Sequence, residues 1–195
     1  SSLEKLNVED ADIWNPGVIN SNQSIQIKYH GIALESATRY YWKVRVQDQN
    51  GTFSPFSEAA FFETGVLEVG DWKADWIYGP SLTPVVCPWF RKTFYLDSLP
   101  SRATAFVGSV GFHELYVNGE KVSEAVLTPS VSDLRKRALY NTYDITPYLK
   151  EGKNAVVAWL ASGWAEFRDF NPPADFGREE KPLCIVQVHL DKDRL

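Results

Sequence analysis

The sequence has no methionine, only two cysteines and no run of basic residues. With not even an initiator methionine present, the chain is expected to be processed or to be a piece of something longer. Its longest unbroken apolar run, Ala155–Ala161, falls far short of the roughly 20 residues that span a bilayer. No charged stretch followed by an apolar segment opens the chain, so no signal peptide is expected. Twenty basic against 25 acidic residues give a net charge of −5 and a pI near 5.3. That sign is wrong for a phosphate backbone, and there is no basic amphipathic stretch, so nucleic acid and anionic membrane are not expected partners. Cys87 and Cys184 lie far apart, which fits no metal motif and no disulfide framework. They read as two half-buried free thiols, with one long-range disulfide as the alternative.

What the chain does have is aromatic residues, 7 Trp, 9 Tyr and 11 Phe, within a composition that is 44% hydrophobic and 23% charged. Such a chain can bury a core, and its length allows one large or two small domains. Alternation of period two dominates. Over Arg39–Gln47, Tyr40, Trp42, Val44 and Val46 fall on one face and Tyr41, Lys43, Arg45 and Gln47 on the other. The strand runs into Asn50-Gly51, a pair that supplies the positive φ values of a tight hairpin, and Ala59–Thr64 returns. Ser24–Tyr29 alternates as a further strand. Leu34, Thr38 and Tyr40 precede the best strand, where immunoglobulin-like sandwiches place a tyrosine whose hydroxyl bonds upstream backbone. With Ser54-Pro55-Phe56-Ser57 after the turn, this order resembles the back half of a fibronectin type III domain whose front strands are missing.

Glycines and prolines crowd Thr64–Pro88, marking a boundary, and Trp72 and Trp76 within it are expected in an inter-domain seam. Beyond it the strand candidates are Trp89–Leu96, Arg102–Val107, Phe112–Val117, Glu120–Val122, Leu139–Tyr143, Lys153–Leu160 and Leu183–Leu190. Asn118-Gly119 is a second hairpin turn, and Asp144–Gly152 reads as one helical turn capped by Asp144. Short strands with regular turns predict an antiparallel jelly roll. The fold class is therefore all-β: a partial fibronectin type III-like sandwich over 1–66, a linker over 67–88, and a galactose-binding-like jelly roll over 89–195.

The second region carries an ordered set of motifs. Asp71-Trp72-Lys73-Ala74-Asp75-Trp76-Ile77 leads to Phe90-Arg91-Lys92-Thr93-Phe94 and then to Gly111-Phe112-His113-Glu114-Leu115-Tyr116-Val117-Asn118-Gly119. Leu139-Tyr140-Asn141-Thr142-Tyr143-Asp144-Ile145-Thr146 and Leu160-Ala161-Ser162-Gly163-Trp164 follow. This order resembles the N-terminal modules of bacterial α-L-rhamnosidases of glycoside hydrolase family 78, and the preceding segment through Phe61-Phe62-Glu63-Thr64-Gly65 resembles that family's fibronectin-like domain. The resemblance implies a parent that hydrolyses terminal α-L-rhamnose with inversion, on an acid and base about 6.5–9.5 Å apart. It places those carboxylates in a downstream (α/α)6 barrel, so no catalytic residue is assigned here and none is expected to act as an enzyme alone. It also implies a bacterial protein, periplasmic or secreted. The sugar-binding sandwich of a β-galactosidase-type enzyme and a stand-alone lectin-like module are the rival readings.

The long connection Ser162–Pro182 is too aromatic for plain disorder. Sugar binding needs an aromatic platform and a few fixed polar groups. Trp164 with Arg168 or Asp169, and Asp133 from the other long loop, are the candidates, against Trp164 serving as a core plug. Some related modules bind rhamnose with calcium, so calcium is the one cofactor the resemblance suggests; otherwise none is expected. Expected partners are a rhamnose-containing glycan, a downstream catalytic domain and, through the incomplete sandwich at Ser24–Thr64, a second copy. His30, His113 and His189 read as half-exposed strand residues. Asp169 with Asp175, and Glu179 with Glu180, read as surface acids, and Asp191-x-Asp193 as a solvated tail.

Overall fold

The structure is a computed structural model that describes residues 2–7, 11–23, 25–79, 87–134, 136–163 and 182–191. The chain divides into two compact units, Ser1–Asp71 and Trp72–Leu195.

Among the described residues the first unit has one short helix, α1 (Leu3–Asn7), and an antiparallel pair, β1 (Arg39–Trp42) with β2 (Ala60–Glu63). The Tyr40 hydroxyl accepts the Glu35 N–H at 2.8 Å and its ring is buried, stacked on Phe62 at 5.5 Å. That is the upstream backbone bond expected of a sandwich-corner tyrosine. Regular pairing stops at Trp42, earlier than the alternation predicts, although the hairpin continues. Val44 accepts the Ser57 N–H and gives its own N–H to Ser57 Oγ; Val46 and Ser54 repeat the exchange. Serine hydroxyls take acceptor positions that carbonyls hold in a regular ladder, around a Pro55 that has no N–H to offer. Of the expected strand Ser24–Tyr29, the described residues 25–29 form none. Gln26 sits at φ +61°, a left-handed conformation that breaks the alternation.

Among the described residues the second unit is a sandwich of two four-stranded antiparallel sheets. In chain order the strands are β3 (Ile77–Tyr78), β4 (Trp89–Leu96), β5 (Arg102–Val110), β6 (Phe112–Val117), β7 (Glu120–Lys121), β8 (Tyr140–Asp144), β9 (Gly152–Ala161) and β10 (Leu183–Asp191). One sheet runs β3-β10-β5-β8 and the other β4-β9-β6-β7. Ala103, Ala105 and Val107 of β5 face Leu115, Val117 and Val156 across the core, with Ile145 and Leu149 closing one end. Full burial of a side chain the size of Ile145 contributes roughly 1.5–3 kcal/mol.

Strand β5 is buried along both faces. Its outer face is covered by the segment beginning at Trp72: the Lys73 and Ala74 N–H groups both donate to Gln187 Oε1. Trp72 meets Tyr140 edge-on at 5.4 Å, and a Cβ on Gly108 would lie 3.5 Å from the Trp76 ring. Both tryptophans thus contact residues of the second unit, and Ile77–Tyr78 is a strand where only a boundary was legible. The predicted helical turn is a 3-10 turn over Thr146–Tyr148 whose N-cap position is Ile145. Asp144 still accepts the Thr146 N–H at 2.9 Å, one residue earlier than the capping position.

Candidate functional site

The sandwich core is apolar at one end and polar at the other. At the polar end β5 turns into β6 through Gly111, at φ +107°. A Cβ there would lie 2.3 Å from the Ala161 carbonyl oxygen, so only glycine lets the two strands approach. The turn carries Ser109 and His113 to a 2.8 Å contact between Oγ and Nδ1. Ser109 commits its proton to the Gly111 carbonyl at 3.0 Å, so Oγ accepts from Nδ1–H. That leaves His113 Nε2 to accept from the Tyr143 hydroxyl at 2.9 Å. The backbone of the same histidine exchanges hydrogen bonds with Thr128, whose hydroxyl and carbonyl both engage it. His113 is therefore a core residue, 3% exposed, and not the half-exposed strand residue its sequence suggests. Burial drives its pKa down to about 4 and raises that of Tyr143.

A serine 2.8 Å from a histidine invites a nucleophilic reading, which the geometry refuses. The Ser109 hydroxyl is buried, its proton points at a backbone carbonyl, and the imidazole is oriented by a tyrosine rather than a carboxylate. Cys184 lies opposite Ser109 in the register, fully buried, with its thiol pushed up to about 12 by desolvation, so it is inert as a nucleophile. Cys87 and Cys184 are both free. Two buried atoms at this end, Asn141 Oδ1 and Ser162 Oγ, have no hydrogen-bond partner among the described residues.

Of the residues expected to touch sugar, Asp133 lies at the start of a turn. Its carbonyl accepts the N–H groups of Lys136 and Arg137, and its partly exposed carboxylate lies 4.0 Å from Lys136 Nζ. Trp164, Arg168 and Asp169 lie outside the described residues, as do Asp175, Glu179, Glu180 and Asp193. Asp191 is not a solvated tail residue; it holds Arg102 in an ion pair at 2.8 Å. Among the described residues no three His, Cys, Asp or Glu side chains gather as a metal site.

The structure adds an aromatic cluster on the outer face of the β4-β9-β6-β7 sheet. Trp89 stacks on Trp159, directly opposite in the register, at 4.7 Å and 17°, and leans toward Tyr116 at 5.5 Å. Beside it the Tyr116 hydroxyl and the Lys121 ammonium both donate to Glu114, which holds that carboxylate below its ordinary pKa, Lys121 contributing most. The alternation of β4 and β9 shows the phase of each tryptophan, but only the pairing of these strands puts the rings together.

Comparison with known proteins is consistent along the chain. Residues 98–194 match the family described as the α-L-rhamnosidase N-terminal domain, and residues 3–68 match the Rha78A-like N-terminal immunoglobulin domain. An α-L-rhamnosidase of Formosa agariphila is 35% identical over 187 residues, covering 84% of this chain and 20% of that protein. One from Alteromonas sp. is 31% identical over 174 residues, covering 84% and 19%. The α-L-rhamnosidase structure from Dictyoglumus thermophilum superposes with a TM-score of 0.85 at 35% identity, over 99% of this chain and 23% of that one. The Streptomyces avermitilis α-L-rhamnosidase complexed with L-rhamnose shares the fold, with a TM-score of 0.79 at 19% identity over 99% and 35%. The chain spans about a fifth of the length of the curated relatives it matches.

Proposed function

The chain belongs to the α-L-rhamnosidases, as their N-terminal immunoglobulin-like and sandwich domains, and from that premise we propose that it is the non-catalytic front part of such an enzyme. Its role is to brace a downstream catalytic domain acting on terminal α-L-rhamnose and to hold rhamnosyl substrate near it. The observation that carries this reading is the pair of N-terminal domain matches, in order, on a chain one fifth as long as its relatives. The buried and proton-committed Ser109–His113 pair supports a structural role. The purified chain is expected to release no nitrophenol from nitrophenyl α-L-rhamnoside; sustained release by material free of contaminating glycosidase would overturn the assignment.

Accessory rhamnoside binding would fall to Asp133 with Trp164, Arg168 and Asp169, an aromatic ring beside charged and polar groups. Titration calorimetry with L-rhamnose, with and without calcium, tests it. Absence of heat at millimolar sugar in both arms would leave the bracing role alone.

Association with another protein surface is supported by the first unit. Trp42, Val44, Val46 and Phe62 are all exposed, an apolar stretch that water solvates poorly. Light scattering is expected to show self-association of the isolated chain, and a Val44→Lys variant is expected to shift it toward monomer. A strictly monomeric parent chain at high concentration would count against it.

A further inference from the structure

Two asparagines of the chain precede a glycine, Asn50 and Asn118, and both lie in turns. An Asn-Gly pair carries a latent reaction. With no Cβ on the glycine, its backbone nitrogen can reach Cγ of the asparagine side chain and close a five-membered ring. Both glycines leave that approach open. A Cβ on Gly51 would meet nothing nearer than Gln47 Nε2 at 3.7 Å, and one on Gly119 would meet nothing within 4 Å. The difference between the two sites therefore lies in the asparagines.

Asn118 is held in place. Its amide donates to the Tyr148 carbonyl and to Asn154 Oδ1, both at 2.8 Å, and its own Oδ1 accepts the Ala155 N–H at 3.0 Å. Swinging Cγ onto the Gly119 nitrogen would give up these bonds, at up to about tenfold in rate for each. Asn50 is exposed, and its side chain makes no hydrogen bond among the described residues. The turn around it is built without that side chain: Asp48 Oδ1 accepts the Asn50 and Thr52 N–H groups, and Gln47 Nε2 donates to the Gly51 carbonyl. What opposes the reaction is the bond from the Gly51 N–H to the Asp48 carbonyl at 3.1 Å, itself in an exposed turn.

We propose that Asn50 is a site of spontaneous intramolecular deamidation, and that its product loosens the hairpin of the first unit. The Gly51 nitrogen bonds to Asn50 Cγ, the bond from Cγ to the amide nitrogen breaks, and the amide leaves as ammonia with the Gly51 proton. Water then opens the ring at one of its two carbonyls, its hydroxyl going to that carbon and its hydrogen to the nitrogen. Opening at Cγ gives aspartate. Opening at the backbone carbonyl gives isoaspartate, whose main chain runs through the side chain and is longer by one carbon. That carbon falls inside the loop closed by the Gln47–Phe53 bridge, next to the hydrogen bonds between Val46 and Ser54. Either product sets a second carboxylate in the turn that already holds Asp48.

The full chain is incubated in mildly alkaline buffer, digested with trypsin and read by mass spectrometry. Asn50 and Asn118 fall in separate peptides, 46–73 and 103–121, each with no other asparagine. Asn50 is expected to convert within about tenfold of its rate in urea, and Asn118 at least about tenfold more slowly than in urea. Asn50→Ser, at an exposed position, is expected to fold as the parent does and to lose only the product in peptide 46–73. In the isoaspartyl form, separated by ion exchange, the Val46 and Ser54 amides are expected to lose protection against hydrogen exchange while those of β9 keep theirs. Native Asn118 reacting as fast as native Asn50, or an Asn50 that converts in urea but not in the folded chain, would overturn the site. Unchanged exchange at Val46 and Ser54 would overturn the loosening.

Discussion

Replacing Asn154 by alanine is expected to lower the unfolding free energy of the second unit by about 3–4 kcal/mol. The side chain is 1% exposed and uses all of its hydrogen-bonding capacity. Its amide donates to the Lys150 and Gly152 carbonyls, while Oδ1 accepts from Lys150 N–H and from the Asn118 amide. Asn118 in turn donates to the Tyr148 carbonyl and accepts the Ala155 N–H from its position in the hairpin turn, at φ +52°. Alanine would strand several buried groups at once, each costing roughly 1–3 kcal/mol, although water and relaxation recover part. Aspartate keeps the shape but loses both donors and buries a charge, so it is expected to be at least as damaging. Urea denaturation followed by tryptophan fluorescence is the measurement. A loss under about 1 kcal/mol for alanine would mean the network does not hold the β6–β9 end together.

Stability is also expected to fall as the pH drops from 6.5 to 4, through His113. In the unfolded chain a histidine takes up its proton near pH 6.5, whereas in the core it does so only near pH 4. Above pH 6.5 both states hold it neutral and the group contributes no pH dependence. Between those values only the unfolded state gains the proton, so unfolding is favoured progressively, by about 3 kcal/mol in total. The cause is desolvation: among the described residues its hydrogen-bond partners are Ser109, Tyr143 and Thr128, and no carboxylate. Carboxylates begin to titrate in the lower part of the same window, so the comparison is with His113→Gln. That variant is less stable at neutral pH but is expected to show a flatter profile between pH 4 and 6.5. Parallel profiles would show that the imidazole does not titrate in the native core.

Much of the second unit is legible in the sequence because period two and Asn-Gly turns act locally. Val117-Asn118-Gly119-Glu120 declares a hairpin, and β4, β6, β9 and β10 fall within a residue or so of the alternation that predicts them. The two-residue strand Ile77–Tyr78 is too short to show a period, and what makes it a strand is its pairing with Leu183 and Cys184, far along the chain. His113 was misplaced because alternation gives the phase of a side chain and not which face is buried. The same gap hides the Trp89–Trp159 platform, which needs the register of β4 against β9. In the first unit, alternation over Ser24–Tyr29 is present in the side chains but defeated by the left-handed backbone at Gln26.

The sheet order β3-β10-β5-β8 has a bearing on how the protein is born. Strand β10 occupies an interior position, yet it is the last described strand of the unit to leave the ribosome. Until it arrives, β3 has no partner, and β5 has a neighbour on one edge only. Lys73 and Ala74 would then lack the Gln187 side chain to which their N–H groups donate. The closing contacts are almost all distant in sequence, the kind that fold slowly. Until β10 has emerged, the nascent chain carries a half-built sheet whose open edge is a template for wrong pairing.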